Sequence, residues 1–219
     1  MLRQLQAFQN MWYVFNFLFI SKLFAFKSDL ILTIFQIQFD RRFIGDSGNV
    51  ALISIDGTHF MINEPIPFSE KWFSHKFNGP GLSYEIGICI ATGDIVWYNG
   101  PFQASVPDIT IFQSKLKGLL LPGEKALGDG TYLDIKCVSK KDGLNYIHRR
   151  AMARTRARHE SINRRLKQFK CLGGRYRHDL KKHHLFFQAV ITLTQLDIDI
   201  GNIPFQINTY SQPAFVEIV

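Results

Sequence analysis

The spacing of apolar and polar residues from position 50 onward predicts strands and helices in alternation. Residues 50–55 are almost all apolar, which is typical of a short strand buried on both faces. Residues 83–91 alternate between apolar and small or polar side chains, residues 95–98 are β-branched and aromatic, and the tight turn at 92–94 joins them into a predicted hairpin. A further short apolar segment, residues 125–128, predicts another strand.

Three helices are predicted around these strands. Apolar residues recur at helical spacing over 109–119, and Ser105 followed by Asp108 is typical of a capping box at the start of that helix. We therefore assign Asp108 to the cap rather than to a functional site. A long basic helix over 146–170 and a last helix over 179–196 follow, so the order of elements is that of an α/β domain.

Residues 1–45 differ from the rest of the chain, because residues 11–20 form a nearly unbroken apolar run. A membrane span needs about 20 such residues, and neither a basic leader nor a cleavage site of small residues accompanies the run. We therefore do not expect a membrane anchor, and interpret the run as a helix of a larger N-terminal part or the product of a misplaced gene start. The composition changes near Asp46, which predicts an apolar N-terminal segment, residues 1–45, and a main domain, residues 46–219.

Charge is concentrated in one part of the chain. The net charge is +8, yet residues 140–182 hold 15 Lys and Arg against three acids, a local net charge of +12. Such a concentration favours a polyanionic partner such as nucleic acid, although a solvated basic helix has the same composition. With 46% hydrophobic and 14% aromatic residues the chain is not mainly disordered, and three scattered cysteines form neither a disulfide scaffold nor a zinc-binding pattern.

Three acidic residues are placed where they can act together. Asp56 follows the first buried strand, Asp129 follows the strand at 125–128, and Glu160 lies within the basic helix. Since neighbouring strand ends meet at one crevice of an α/β sheet, we expect Asp56 and Asp129 to lie close together. Two carboxylates at short range repel each other unless a cation offsets them, and their hard oxygens suit Mg²⁺ or Mn²⁺.

The basic helix surrounds Glu160 with cations. At about 100° per residue, the apolar side chains of the helix fall on the face opposite Glu160. The basic residues within about 40° of Glu160 are Arg149, Arg156, Arg164 and Lys167. This arrangement fits phosphate binding beside a metal-binding acid, and it equally fits a surface ion-pair network, because Arg156 and Arg164 lie four residues before and after Glu160.

Five stretches of the sequence carry a resemblance to a known family. Three of them contain the three acids: SIDGTHF (54–60), ALGDGTY (126–132) and ARHESINRRLKQF (157–169). These three resemble the catalytic blocks of DDE transposases, most closely those of the PIF/Harbinger type, and GICIATGDIVWYNGPF (87–102) and RYRHDLKKHH (175–184) also look like that family. The resemblance implies an RNase H-like fold, a mixed sheet flanked by helices, and a catalytic triad of Asp56, Asp129 and Glu160.

The resemblance further implies metal-dependent cleavage of DNA phosphodiester bonds and strand transfer. It implies two Mg²⁺ (or Mn²⁺) ions at the triad, double-stranded DNA as the partner, and the nucleus, or the nucleoid of a bacterial cytoplasm, as the location. Arg149, Arg156, Arg164 and Lys167 would then bind DNA phosphates. Because residues 1–45 do not look like the DNA-binding segment usual in the family, a separate DNA-binding protein or a second copy of the chain is a candidate partner. The alternative is a non-catalytic DNA-binding protein that retains the fold.

Overall fold

The computed structural model describes residues 37–45, 51–67, 69–138 and 146–204. The apolar run at 11–20 lies outside these ranges. No helix in the described ranges is long and apolar enough to cross a membrane.

The described chain builds one mixed sheet. Its six strands are β1 (Ala51–Met61), β2 (Phe73–Ser74), β3 (Gly79–Cys89), β4 (Ile95–Gln103), β5 (Lys125–Leu127) and β6 (Cys137–Val138). They are arranged in the order β2-β3-β1-β5-β6, and β4 also pairs with β3. The β3 strand is antiparallel to β1 and β4, whereas β5 is parallel to β1 and β6. This mixed sheet, flanked by helices, confirms the α/β, RNase H-like fold class.

Five α-helices accompany the sheet in the described ranges. They are α1 (Asp108–Ser114), α2 (Leu116–Leu119), α3 (Tyr146–Gln168), α4 (Lys170–Gly173) and α5 (His183–Asp199). The predicted hairpin and the long basic helix are therefore confirmed, and the predicted single helix over 109–119 is divided at Lys115.

The helices cover both faces of the sheet. On one face, Ile86 and Ile88 of β3 pack with Ile162 of α3 and Ile191 of α5. On the other face, residues of α1 and α2 pack with β1 and β4, as Phe112 and Leu116 do with Trp97. Burying each of these large apolar side chains stabilises the fold by about 1.5–3 kcal/mol.

The strand β1 is longer than predicted. It does not end at Asp56 but continues to Met61, so the predicted strand end is wrong. The reason is β3, which pairs with β1 from Ile53 to Met61. On the opposite edge, β5 ends where Leu127 pairs with Ser54. Asp56 therefore lies where β1 has lost one of its two neighbouring strands.

Polar contacts fix α3 against the sheet. Arg158 is 1% exposed, and its guanidinium donates to the carbonyls of Cys89 (3.2 Å) and Ile90 (2.8 Å). The next residue, His159, is also buried, and its Nε2 is 2.9 Å from the Ser54 hydroxyl. These bonds set the rotation of α3 about its axis beside β1.

Residues 37–45 pack against this domain, although the sequence analysis placed them in the N-terminal segment. Arg42, in the short 3-10 helix Phe39–Phe43, is buried and its Nε donates to Glu124 at 2.8 Å. The Arg42 guanidinium lies 3.7 Å from the Phe39 ring centroid, and Phe39 contacts Trp97. The boundary near Asp46 stays a prediction, and these contacts join 37–45 to the main domain.

Candidate active site

Two of the three predicted acids lie in one pocket. Because Ser54 pairs with Leu127 in parallel register, Asp56 and Asp129, each two residues further along, lie at the same edge of the sheet. Both line the pocket, whose walls also include Arg156 of α3.

The charges around Asp56 are mixed. Burial raises its pKa, and the negative charge of Asp129 raises it too, whereas Lys76, the Gly57 N–H and Arg156 lower it. Asp129 is held by its own loop, since its Oδ1 accepts from the backbone N–H of Thr131 at 2.8 Å and from the Thr131 hydroxyl. The two carboxylates therefore repel each other, as expected of a site that receives a cation.

Asp108 joins this pair, although its place in the sequence predicts only a helix cap. A Cβ built on Gly57 would lie 2.6 Å from Asp108 Cγ and 2.9 Å from Oδ2, so the Asp108 carboxylate rests directly on the β1 backbone beside Asp56. Burial raises the pKa of Asp108, Lys76 lowers it, and Asp56 and Asp129 raise it. A third carboxylate is therefore close enough to the two predicted ones to interact with them electrostatically.

The cap predicted for Asp108 is wrong. Helix α1 begins at Asp108 with Pro107 as its N-cap, and no side chain caps it. The Ser105 hydroxyl instead donates to the Lys71 carbonyl at 2.7 Å. Pro107 holds an extended conformation just before the helix, which moves the helix start past Ser105 and leaves the Asp108 carboxylate at the sheet.

Two buried polar groups lie near these acids. Glu85 of β3 is 1% exposed, and its Oε1 accepts from the Trp97 indole at 2.9 Å, while its Oε2 has no hydrogen-bond partner among the described residues. Burial, opposed by that bond and assisted by Asp108, raises the pKa of Glu85 to about 7. In the same ranges the buried Tyr132 hydroxyl lacks a partner, and burial together with the nearby acids raises its pKa.

Glu160 does not line the pocket. It is exposed on α3, one helical turn beyond Arg156. Within the described residues it forms no ion pair with Arg156 or Arg164, so the predicted surface network is not formed. In the same ranges, no three His, Cys, Asp or Glu side chains are arranged to hold a metal ion. Asp56 and Asp129 offer the hard oxygens that suit a divalent cation, whereas Glu160 stands outside their pocket.

The four predicted DNA-binding residues of α3 are all exposed: Arg149, Arg156, Arg164 and Lys167. Arg156 reaches the pocket of the acids, and Lys167 lies on the flank of β1, with Nζ 5.7 Å from the Phe60 ring centroid. The basic face is therefore continuous with the acidic pocket, while its catalytic and DNA-binding roles stay predictions.

Comparison with known proteins identifies the family of the chain. A family model described as DDE superfamily endonuclease matches residues 55–195, more than half of the chain. No curated protein and no solved structure matches this chain. Members of the family generally use divalent metal ions, and their substrate is DNA. The match spans Asp56, Asp129 and Glu160, and the chain belongs to the DDE superfamily endonucleases.

Proposed function

We propose that this chain is the catalytic domain of a PIF/Harbinger-type DDE transposase, or of a nuclease derived from one. It cleaves DNA phosphodiester bonds and transfers strands. The observation that carries the proposal is the pocket in which Asp56 and Asp129 meet under Arg156 of a basic helix. Carboxylates suited to cations, next to side chains suited to phosphates, are what metal-dependent phosphodiester chemistry requires.

Asp56, Asp129 and Glu160 would hold two Mg²⁺ or Mn²⁺ ions. When bound, such ions supply activation of a water molecule or a DNA 3′-hydroxyl and stabilisation of the leaving oxygen. Burial, assisted by the negative charge of Asp129, raises the pKa of Asp56, and a bound cation would favour its carboxylate form. Glu160 has no ion pair to break among the described residues, so its side chain is free to turn towards the pocket.

The exposed cations of α3 bind the DNA backbone. Arg149, Arg156, Arg164 and Lys167 contact phosphates, which position a duplex without reading its sequence. Their attraction weakens with salt, because each neutralised phosphate releases condensed counterions. Sequence recognition would come from a separate DNA-binding protein or a second copy of the chain, and a DNA substrate places the activity in the nucleus, or in the nucleoid of a bacterial cell.

A second candidate function is DNA binding without catalysis. The observation that favours it is Glu160, which lies outside the pocket of Asp56 and Asp129. Both functions require DNA affinity, so only cleavage separates them.

The decisive experiment is nicking of a supercoiled plasmid with and without Mg²⁺ or Mn²⁺. We expect metal-dependent nicking by the wild type, abolished in Asp129→Asn and in Glu160→Gln, because each change removes a ligand from a two-metal site. Duplex affinity should hold or rise slightly, since a negative charge leaves a phosphate-facing surface. Glu64→Gln, an exposed carboxylate elsewhere, serves as the matched control. Nicking at the wild-type rate by Glu160→Gln would remove that residue from the triad.

A further inference from the structure

We infer that Lys76, in the turn between β2 and β3, binds together with Lys167 the DNA phosphate nearest to Asp56. The inference rests on the proposed function for its substrate, DNA, and adds a residue outside the basic helix. Lys76 lies 64 residues before the start of the basic region at Lys140, so neither charge clustering nor helical spacing points to it.

Lys76 is fixed at the site by its backbone and by its side chain. Its ammonium donates to the Gly57 carbonyl at 2.6 Å, directly after Asp56 in β1. Its backbone N–H donates to the Ser74 hydroxyl at 3.2 Å, and the same hydroxyl is 2.7 Å from Nδ1 of His59. Ser74 and His59 are buried, so the turn is bound to β1 at two points.

Lys167 approaches the same part of β1 from the helix side. Its Nζ lies over the ring of Phe60, a buried residue of β1 three positions after Gly57. Burial and the positive charge of Lys76 both lower the pKa of Lys167, while Asp56 raises it. Burial first, then the charges of Lys76 and Lys167, lower the pKa of His59 to about 4. The two ammonium groups therefore contact the same short stretch of β1, Lys76 at Gly57 and Lys167 at Phe60.

Two ammonium groups held near each other favour an anion between them. In the described part of the chain neither Lys76 nor Lys167 forms an ion pair within 4.0 Å. Both lysines are exposed residues, and a phosphate oxygen accepts from several ammonium groups at once. Because Lys76 is bonded to the residue after Asp56, a phosphate on the two lysines lies next to the acids.

A simpler role for Lys76 is charge compensation, since its charge lowers the pKa of both Asp56 and Asp108. That role concerns the acids alone. It predicts that loss of the charge strengthens metal binding and leaves DNA affinity unchanged, whereas a phosphate contact predicts weaker DNA binding.

The test measures binding of a fluorescent 30-base-pair duplex of arbitrary sequence to the full chain, by anisotropy at several salt concentrations without divalent metal. The variants are Lys76→Gln, Lys76→Arg, Lys167→Gln and the double Gln variant. Lys71→Gln, an exposed lysine five residues earlier, is the matched control. Melting temperatures show whether each variant is folded, and Mn²⁺ titration of the same samples measures metal affinity.

We expect Lys76→Gln to weaken duplex binding about three- to tenfold at low salt, with Lys76→Arg and Lys71→Gln close to wild type. If one phosphate is shared, the double variant should flatten the slope of log K against log salt by about one counterion. A decrease of the slope by about two counterions would place the lysines on separate phosphates. Wild-type duplex affinity of Lys76→Gln together with stronger Mn²⁺ binding would leave only charge compensation. Either result overturns the inference. A wild type that binds through Lys76 without nicking would refute the proposed cleavage but support the phosphate contact.

Discussion

Replacing Gly57 by Ala tests the position of the Asp108 carboxylate, because that carboxylate occupies the space of the new methyl group. The added Cβ would lie 2.6 Å from Asp108 Cγ and closer still to Asp108 Oδ1, whereas ordinary contacts begin near 3.4 Å. The carboxyl group must therefore move by at least about 0.8 Å, the difference between those two distances, and its Oδ1 must move further. Gly57 itself has an ordinary extended backbone within β1, so Ala introduces no backbone strain of its own.

The expected effect on stability is small. Overpacking of a well-packed site costs about 1–3 kcal/mol. Here the low end applies, because the atoms that obstruct the new methyl group belong to the end of the Asp108 side chain and not to a backbone. Ala also gains about 0.5–1 kcal/mol over Gly, since it loses less conformational freedom on folding. The net change in the free energy of unfolding should therefore stay within about 1 kcal/mol.

The expected effect on cleavage is large. If Asp108 supports Asp56 and Asp129, a displacement approaching 1 Å lowers the rate by about 10²-fold. Plasmid nicking and urea unfolding are measured on the same preparation, with Gly118→Ala as the control, because a Cβ there meets nothing within 4 Å. The control should be stabilised by up to about 1 kcal/mol and retain its activity.

A Gly57→Ala protein that nicks at the wild-type rate would show that the Asp108 carboxylate has no part in cleavage. A loss of stability of about 3 kcal/mol or more would show that the methyl group displaces backbone instead. Asp108→Ala separates the two effects further, since in that background the clash is gone and Gly57→Ala should raise the free energy of unfolding by about 0.5–1 kcal/mol.

Two further predictions concern buried charges. The folded protein keeps a proton on Glu85, with a pKa of about 7, that the unfolded chain releases near the ordinary value of 4.5. The free energy of unfolding should therefore fall by up to about 3 kcal/mol as the pH rises from 4.5 to 7. Urea unfolding at pH 5 and pH 8 should show that Glu85→Gln lacks this decrease, and an identical pH dependence would contradict the assignment. Arg42→Met should cost about 3–5 kcal/mol, because it leaves the Glu124 carboxylate buried and unpaired, and adding Glu124→Leu should recover most of that loss. Equal stabilities of the single and double variants would show that the Glu124 carboxylate does not destabilise the fold when Arg42 is absent.

The elements that the sequence predicted correctly are those in which the spacing of apolar side chains within the element itself indicates its buried face. The alternation over β3 predicted the hairpin, and Gly93, with φ +86, supplies the turn that joins it to β4. The basic helix α3 was found because its apolar positions recur with the helical period. Neither pattern requires knowledge of distant residues.

The errors arose where distant residues satisfy a polar side chain. The sequence predicted that β1 ends at Asp56, but the strand continues, and His59 in its second half is buried with its Nδ1 2.7 Å from the Ser74 hydroxyl of β2. Asp108 stood at the start of a helix, where a cap explained it locally, and only the fold places it on Gly57. Lys76 carried no signal at all, because its role depends on a turn that returns to β1.

How Glu160, the third acid of the triad, reaches Asp56 and Asp129 depends on which part of α3 can move. The helix is held by the bond between His159 and Ser54 and by those of Arg158 to the carbonyls of β3 and the turn after it, so turning it would break buried hydrogen bonds. Each such loss costs about 1–3 kcal/mol. Glu160 is exposed and follows Arg156, which lines the pocket, by one turn, a rise of about 6 Å along the axis. A change of side-chain rotamer breaks no ion pair of Glu160 within the described chain. We therefore expect α3 to stay fixed while the Glu160 side chain turns towards Asp56 and Asp129 as the site is filled.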